Sequence, residues 1–322
     1  MKIAITGGTG FVGRNLAREL VTTGHHVVLI ARGHDQTDTS ILELENSTFE
    51  KASLTDLPRL SQILKGCDTV VHCAGVNRSI GKQTFFNVHV EGTQTLLESA
   101  KLAGVRKVVL MSFLQARPDC GSDYHETKWE AEELVRNSGL DFTILKCGVI
   151  YGKGDHMLNH LSHAFCTFPV FGFVGFNDQL IRPIAIEDLV QVITGSITHP
   201  KLQNQTIAVV GPEELSLRQS VRRVAGVVGK APIMLPMPVW FHRILALVME
   251  RIMIVPMVSN AQIRMLTESL ATPMNSVRFP PPELAPRIGF SVNQIQKGLP
   301  PETPFGLHDL YWGQKQSKGA ER

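Results

Sequence analysis

Seven residues near the start of the chain, Gly7-Gly8-Thr9-Gly10-Phe11-Val12-Gly13, constrain the fold more than any other feature. They follow the β-branched run Ile3 to Thr6 and open a helical pattern over Val12 to Val21. Gly7, Gly10 and Gly13 permit a tight turn and let a bulky anion approach the backbone. The helix start offers the N–H groups of Phe11, Val12 and Gly13 and the positive end of a dipole. Strand, glycine turn and helix in that order make the pyrophosphate cradle of a nucleotide-binding βαβ unit. A glycine-rich turn without a ligand is the competing reading, and the placement between strand and helix speaks against it.

The first half continues the alternation. Apolar, β-branched runs lie at Val27 to Ile30, Thr69 to Cys73, Lys107 to Met111 and Phe142 to Leu145. Helical patterns fall at Leu57 to Leu64, Val88 to Ala103 and Lys128 to Val135, with a further helix at Ile186 to Ile197 and a last strand at Thr206 to Val210. Continuous apolar strands between helices predict a parallel sheet covered on both faces. The expected fold class is therefore α/β: a doubly wound, parallel-sheet Rossmann fold with a smaller, mostly helical C-terminal region. Residues 1–210 read as the nucleotide-binding domain, with 151–182 facing the substrate. Residues 211–322 read as a substrate lid or partner-binding region. Beyond Gly211 prolines accumulate, strand patterns disappear, and helices are expected at Leu217 to Val228 and Val239 to Ile254. The polar tail from Gln314 to Arg322 reads as mobile.

Composition excludes several alternatives. Of 322 residues 43% are apolar and 19% charged, which suits a folded domain and not a disordered chain. The net charge of +3 is spread along the chain, so nucleic acid is not an expected partner. Cys67, Cys73, Cys120, Cys147 and Cys166 are scattered with no CxxC, as expected of reduced thiols. Met1-Lys2 leads straight into Ile3-Ala4-Ile5 with no signal-peptide pattern, so residence in the cytoplasm is expected.

The second strand ends at Ala31-Arg32-Gly33, where a site for NAD usually carries Asp or Glu for the ribose 2′-hydroxyl. Arg32, with Arg14 after the third glycine, suits a 2′-phosphate instead. NADP(H) is the preferred cofactor, with NAD(H) the alternative should Arg32 be only a solvated charge. Cys73-Ala74-Gly75 gives a strand end small enough for a nucleoside to lie against the backbone. Ser53, after a third strand pattern, is a weaker adenine-side candidate.

Tyr124 and Lys128 are spaced i and i+4, so on a helix phenol and ammonium share a face. A free phenol has a pKa of about 10 and a neighbouring ammonium lowers it. The pair could then exchange a proton with a substrate oxygen, and Ser112 at the end of the fifth strand could hold that oxygen.

These elements, with Asn87 and Gly92-Thr93, resemble the short-chain dehydrogenase/reductase superfamily. Gly148-Val149-Ile150-Tyr151-Gly152 and Arg182-Pro183-Ile184-Ala185-Ile186-Glu187-Asp188-Leu189 resemble its extended and atypical branches. Within these, the short serine-to-tyrosine interval and Pro256-Met257-Val258-Ser259-Asn260-Ala261-Gln262 are similar to the group around the NADPH-binding accessory subunit of respiratory complex I. The resemblance implies Tyr124 as acid/base and Lys128 on the nicotinamide ribose, lowering the tyrosine pKa. It implies Ser112 orienting the substrate and Gly7, Gly10 and Gly13 on the pyrophosphate. Lys146-Cys147 departs from the family's frequent Arg-Pro, and in the complex I relative the nucleotide is thought to be structural.

Two further signals bear on partners. His156, His160 and His163 share a helical face and could hold a metal, but helix-surface residues match the spacing as well, and no metal is expected. Val239 to Met257 is apolar, interrupted by His242, Arg243, Glu250 and Arg251. It reads as a core helix or lid, or as a contact with a membrane surface or membrane complex, which would put the chain peripherally on the inner face of a membrane. The function expected is an NADP(H)-dependent oxidoreductase or epimerase acting on a small carbonyl, alcohol or nucleotide-sugar-like molecule. The alternative is a non-catalytic NADPH-binding subunit or assembly factor of a membrane electron-transfer complex.

Overall fold

The computed structural model describes residues 1–33, 39–79, 83–253, 258–273, 277–306 and 309. The tail from Gln314, and Ile254 to Met257 of the apolar stretch, lie outside the described residues. In chain order the strands are β1 (Lys2–Thr6), β2 (His26–Ala31), β3 (Ser47–Lys51), β4 (Thr69–His72), β5 (Lys107–Phe113), β6 (Asp141–Cys147), β7 (Ile150–Tyr151), β8 (Val170–Val174), β9 (Leu180–Ile181), β10 (Ile184–Ala185), β11 (Gln205–Val209), β12 (Leu215–Ser216) and β13 (Ile233–Met237). The helices are α1 (Phe11–Thr22), α2 (Leu57–Ile63), α3 (Gly92–Ala103), α4 (Asp123–Arg136), α5 (His156–Thr167), α6 (Ile186–Thr198), α7 (Leu217–Val228), α8 (Val239–Ile252), α9 (Asn260–Leu266) and α10 (Val292–Gly298).

Two compact units form. The first comprises the described residues of 1–148, 184–210 and 272–288; the second comprises those of 149–183, 211–271 and from Gly289 on. The first unit holds a seven-stranded parallel sheet in the order β11-β6-β5-β4-β1-β2-β3. Every residue of β4 and β5 is buried, which is why these strands read as unbroken apolar runs. One face packs Ala4, Val28, Ile30 and Val70 against Leu60, Leu64, Leu96 and Ala100. β3 (Ser-Thr-Phe-Glu-Lys) is an edge strand with four polar residues, two of them exposed, so it gives no apolar run. The helix expected over Val88 to Ala103 begins as a π-helical turn, Phe86–Glu91, before α3. Residues 277–288 add to this unit from afar: Arg278 O accepts Ala208 N–H, and the Asp188 carboxylate accepts Arg287 and Ile288 N–H.

The second unit contains a strand the sequence hides. Ile233–Met237 pairs in parallel with β8, although Pro232, Pro236 and Pro238 surround or interrupt it. A two-stranded ribbon leaves one edge of each strand unpaired, so Pro236 can face that edge without losing a ladder bond. α7 and α9 each begin with a reciprocal capping box, Ser216 with Gln219 and Ser259 with Gln262. Tyr151 is fully buried, its hydroxyl donating to Gly289 O at 2.9 Å with its ring edge-on to Phe290.

Candidate functional site

The strand order reverses between β1 and β4, and ligands of such sheets bind outside the carboxyl ends of the strands at that point. The glycine loop leaves β1 there, and Cys73-Ala74-Gly75 leaves β4. Gly7 has φ +67°, and a Cβ on it would lie 2.9 Å from the Ala74 backbone. A Cβ on Gly13 would lie 2.3 Å from Gly7 O, so only glycine lets α1 start this close to the loop. A Cβ on Gly10 would meet only Gly7 O, at 3.2 Å, and otherwise open space. No side chain caps α1 and no acid lies in its first turn. Its first N–H groups therefore have no intrahelical acceptor and no local competitor for an anion. These features fit a dinucleotide pyrophosphate held by Gly10, Phe11, Val12 and Gly13.

The other nucleotide candidates flank this loop. Thr9 Oγ1 donates to Gly33 O at 3.3 Å, tying the loop to the end of β2. Arg32 is exposed there, whereas Arg14 is buried with its guanidinium 5.8 Å from the Phe11 ring centre. Ser53 follows β3, and its hydroxyl bonds Thr55 in a local turn.

α4 starts earlier than its apolar pattern suggests. Gly121, at φ +69°, turns the chain into it, the Glu126 carboxylate accepts the N–H groups of Cys120 and Gly121, and Asp123 and Glu126 favour the positive helix end. Tyr124 thus sits in the first turn and Lys128 one turn on. Lys128 Nζ donates to Met111 O at 3.2 Å and lies 3.2 Å from where a Gly75 Cβ would be. Burial lowers the Lys128 pKa to about 8, with Cys147, Cys73 and Glu132 opposing.

The structure brings Lys128 beside Gly75 and keeps Tyr124 one turn earlier on the same helix, but does not bring Ser112 to the phenol. Ser112 Oγ donates to Glu132 Oε1 at 2.5 Å, and that carboxylate pairs with Lys146 at 2.7 Å and Arg136 at 2.7 Å. Successive side chains of a strand alternate faces, so Phe113, not Ser112, meets Tyr124, at 5.3 Å between ring centres. The Tyr124 ring also packs edge-on to Phe85 and His89, and among the described residues its hydroxyl has no hydrogen-bond partner. Burial raises its pKa, where the i, i+4 lysine led to the expectation of a lowered one. The ammonium points at Met111 and Gly75, and desolvation of the phenolate dominates.

A buried chain of hydrogen bonds that the sequence reading missed holds this arrangement. Thr93 Oγ1 donates to His89 O, so Nε2–H of His72 donates to Thr93 at 3.0 Å and Nδ1 accepts from Thr6 at 2.6 Å. His89 Nε2 accepts Val76 N–H at 3.2 Å, so its Nδ1–H donates to Thr127 at 3.0 Å, and Thr127 donates to Asp123 O. Both imidazoles are neutral: burial, with Lys128 as a further charge, pushes His72 down to about 3 and His89 to about 2. The chain runs from β1 to α4, and no sequence motif marks it. Among the described residues no group of three or more His, Cys, Asp or Glu could hold a metal ion.

Cradle, switch point and Tyr–Lys pair together define a dinucleotide-binding protein of the doubly wound α/β class with short-chain-dehydrogenase character. The NAD-dependent epimerase/dehydratase family model matches residues 3–211, and the chain belongs to that family of NAD(P)-dependent enzymes. A ceramide reductase of Caulobacter vibrioides is 29% identical over 237 residues, 73% of each chain. Subunit 9 of the NADH dehydrogenase [ubiquinone] 1 alpha subcomplex of Mus musculus is 24% identical over 74% of this chain and 64% of its own. A Mycobacterium tuberculosis protein is 25% identical over 74% of this chain, which spans only 24% of that protein's length. The UDP-glucuronic acid 4-epimerase of Bacillus cereus, solved with NAD and a fluorinated sugar nucleotide, shares the fold at TM-score 0.68 and 19% identity, over 92% of this chain and 98% of its own. Among the described residues no helix is long and apolar enough to cross a membrane.

Proposed function

We propose that the chain is an NADP(H)-dependent oxidoreductase that reduces a carbonyl compound, with Tyr124 as the proton donor. The observation that carries this reading is Lys128 reaching Gly75, beside the glycine cradle, from the same helix that carries Tyr124 one turn earlier. The bound nucleotide would supply hydride. Lys128 would hold the nicotinamide ribose, and Tyr124, kept neutral by burial, would give its proton to the substrate oxygen. Exposed Arg32, with no acid beside it on β2, supports NADP(H) over NAD(H). The relatives act on a ceramide and on nucleotide sugars by their names, which supports a hydroxyl- or carbonyl-bearing substrate of either kind. Tyr124→Phe is expected to abolish turnover in a carbonyl screen while NADPH affinity changes less than about twofold; retained turnover would remove Tyr124 from the reaction. Arg32→Ala is expected to weaken NADPH by about tenfold and leave NADH unchanged in the same fluorescence titration.

One observation favours a second reading. Ser112 is bound to Glu132 and Phe113 packs on Tyr124, so Ser112 does not support a substrate oxygen there. With the likeness to the mitochondrial subunit, this supports a non-catalytic NADPH-binding subunit or assembly factor of a membrane electron-transfer complex. Stopped-flow release of NADPH separates the two. Release at about 1–1000 per second makes it a co-substrate; release over hours makes it structural.

A further inference from the structure

Within the second unit, α8 packs inward through one narrow side. Its buried residues are His242, bonded to Gly172 O of β8 at 3.3 Å, and Ala246, which joins Val174 and Ile263. At 3.6 residues per turn, the opposite arc carries Trp240, Phe241, Ile244, Leu247, Val248 and Ile252. They are between 39% and 62% exposed. A surface helix normally turns such residues inward. The ribbon adds further exposed apolar residues. Ile233 and Leu235 of β13, with Val170 of β8, lie on the ribbon face that α8 covers at Gly172 and Val174, and they too are exposed.

Of the charges near this arc, Arg251 lies within it, and Arg243 and Glu250 lie side by side at one margin. Both arginines are exposed, whereas the half-buried Glu250 carboxylate is occupied by Asn260 N–H and side-chain amide. A second copy is a poor occupant, because an antiparallel two-fold pairing of α8 centred on Leu247 sets Arg243 of one copy against Arg251 of the other. Aromatic and aliphatic side chains interleaved with arginine suit the headgroup layer, where the rings enter the lipid boundary and guanidinium groups reach phosphates. We propose that the outward face of α8 and the adjoining end of the β8–β13 ribbon seat on an anionic lipid surface, with Arg243 and Arg251 on its phosphates. This contact does not depend on whether the nucleotide turns over, so its failure would leave the oxidoreductase reading intact.

The test is co-sedimentation of the full chain with vesicles of phosphatidylcholine alone and of phosphatidylcholine mixed with phosphatidylglycerol. The protein is expected to partition onto the anionic vesicles, less so as salt rises, with a blue shift of emission that Trp240→Phe removes. The pair Ile244→Ser/Leu247→Ser is expected to lower partition at least about tenfold. Arg243→Gln/Arg251→Gln is expected to lower it about thirtyfold, roughly fivefold per arginine, on anionic vesicles only. All four positions are exposed, so unchanged melting temperatures certify the fold. Absence of partition overturns the proposal, as does partition that neither pair reduces. A dimer that Leu247→Ser dissociates, without lipid binding, gives the face to a second copy and also overturns it.

Discussion

Gly13→Ala tests the cradle with two effects of opposite sign. Within α1, alanine is the better helix former by about 1 kcal/mol. The added Cβ, however, would lie 2.3 Å from Gly7 O and 2.8 Å from Gly8 Cα. These are backbone atoms, not the end of a flexible side chain, so the loop must retreat by about 1 Å to restore ordinary contact. Overpacking of this kind costs about 1–3 kcal/mol, so the steric effect offsets or exceeds the gain and a net loss of about 0–2 kcal/mol is expected. The retreat moves the N–H groups that face the pyrophosphate, and NADPH should bind at least about tenfold more weakly, about 1.4 kcal/mol. Gly24→Ala is the control. Gly24 follows the far end of α1 at φ +81° with nothing within 4 Å of its added Cβ, so the substitution costs about 1–2 kcal/mol through backbone strain alone. Urea unfolding followed by circular dichroism, with NADPH fluorescence titration, gives both quantities. Native-like NADPH affinity in Gly13→Ala, or an equal loss in Gly24→Ala, would refute the reasoning.

The buried imidazoles predict a pH dependence. Their folded pKa values lie below the unfolded 6.5, so the unfolded state binds more protons below that pH. Stability is then complete above pH 6.5 and falls on acidification towards 3, by about 1.4 kcal/mol per pH unit for each imidazole. Asp155, which burial raises from 3.8 to about 6, offsets one such increment between those two values, so Asp155→Asn should steepen the fall there. A flat urea midpoint between pH 6.5 and 5 would contradict this. Glu132→Leu leaves Lys146 buried without its carboxylate and should cost about 3–5 kcal/mol, whereas Glu132→Leu with Lys146→Met should cost markedly less. Equal urea midpoints for the single and double variants would show that the pair does not matter.

The nucleotide half was legible because each signal is local. Glycines between a strand and a helix, and apolar runs wherever a strand is covered on both faces, follow from chain geometry that any βαβ unit must obey. α8 was half legible: its apolar content was plain, but which side faced outward depends on Gly172 and Val174, roughly seventy residues earlier. The spacing of Tyr124 and Lys128 was legible as two positions of one helix, α4, but their electrostatics were not. The lysine points at Met111 O, and burial of the phenol outweighs any nearby ammonium. Ser112 shows the same limit. A serine at a strand end can face either way, and Glu132 on α4, twenty residues on, accepts its hydrogen bond.

By itself the sequence determined the doubly wound sheet, its glycine cradle and the helix that carries Tyr124 and Lys128, since periodicity and glycine placement are properties of neighbouring residues. Only the tertiary structure decided that β13 forms among prolines, and that residues 277–288 return to the first unit through Asp188 and Ala208. It also decided that two neutral histidines lock α4 to β1. Each of these depends on a hydrogen bond or a buried charge whose partner lies tens of residues away, where desolvation, not local propensity, sets the outcome.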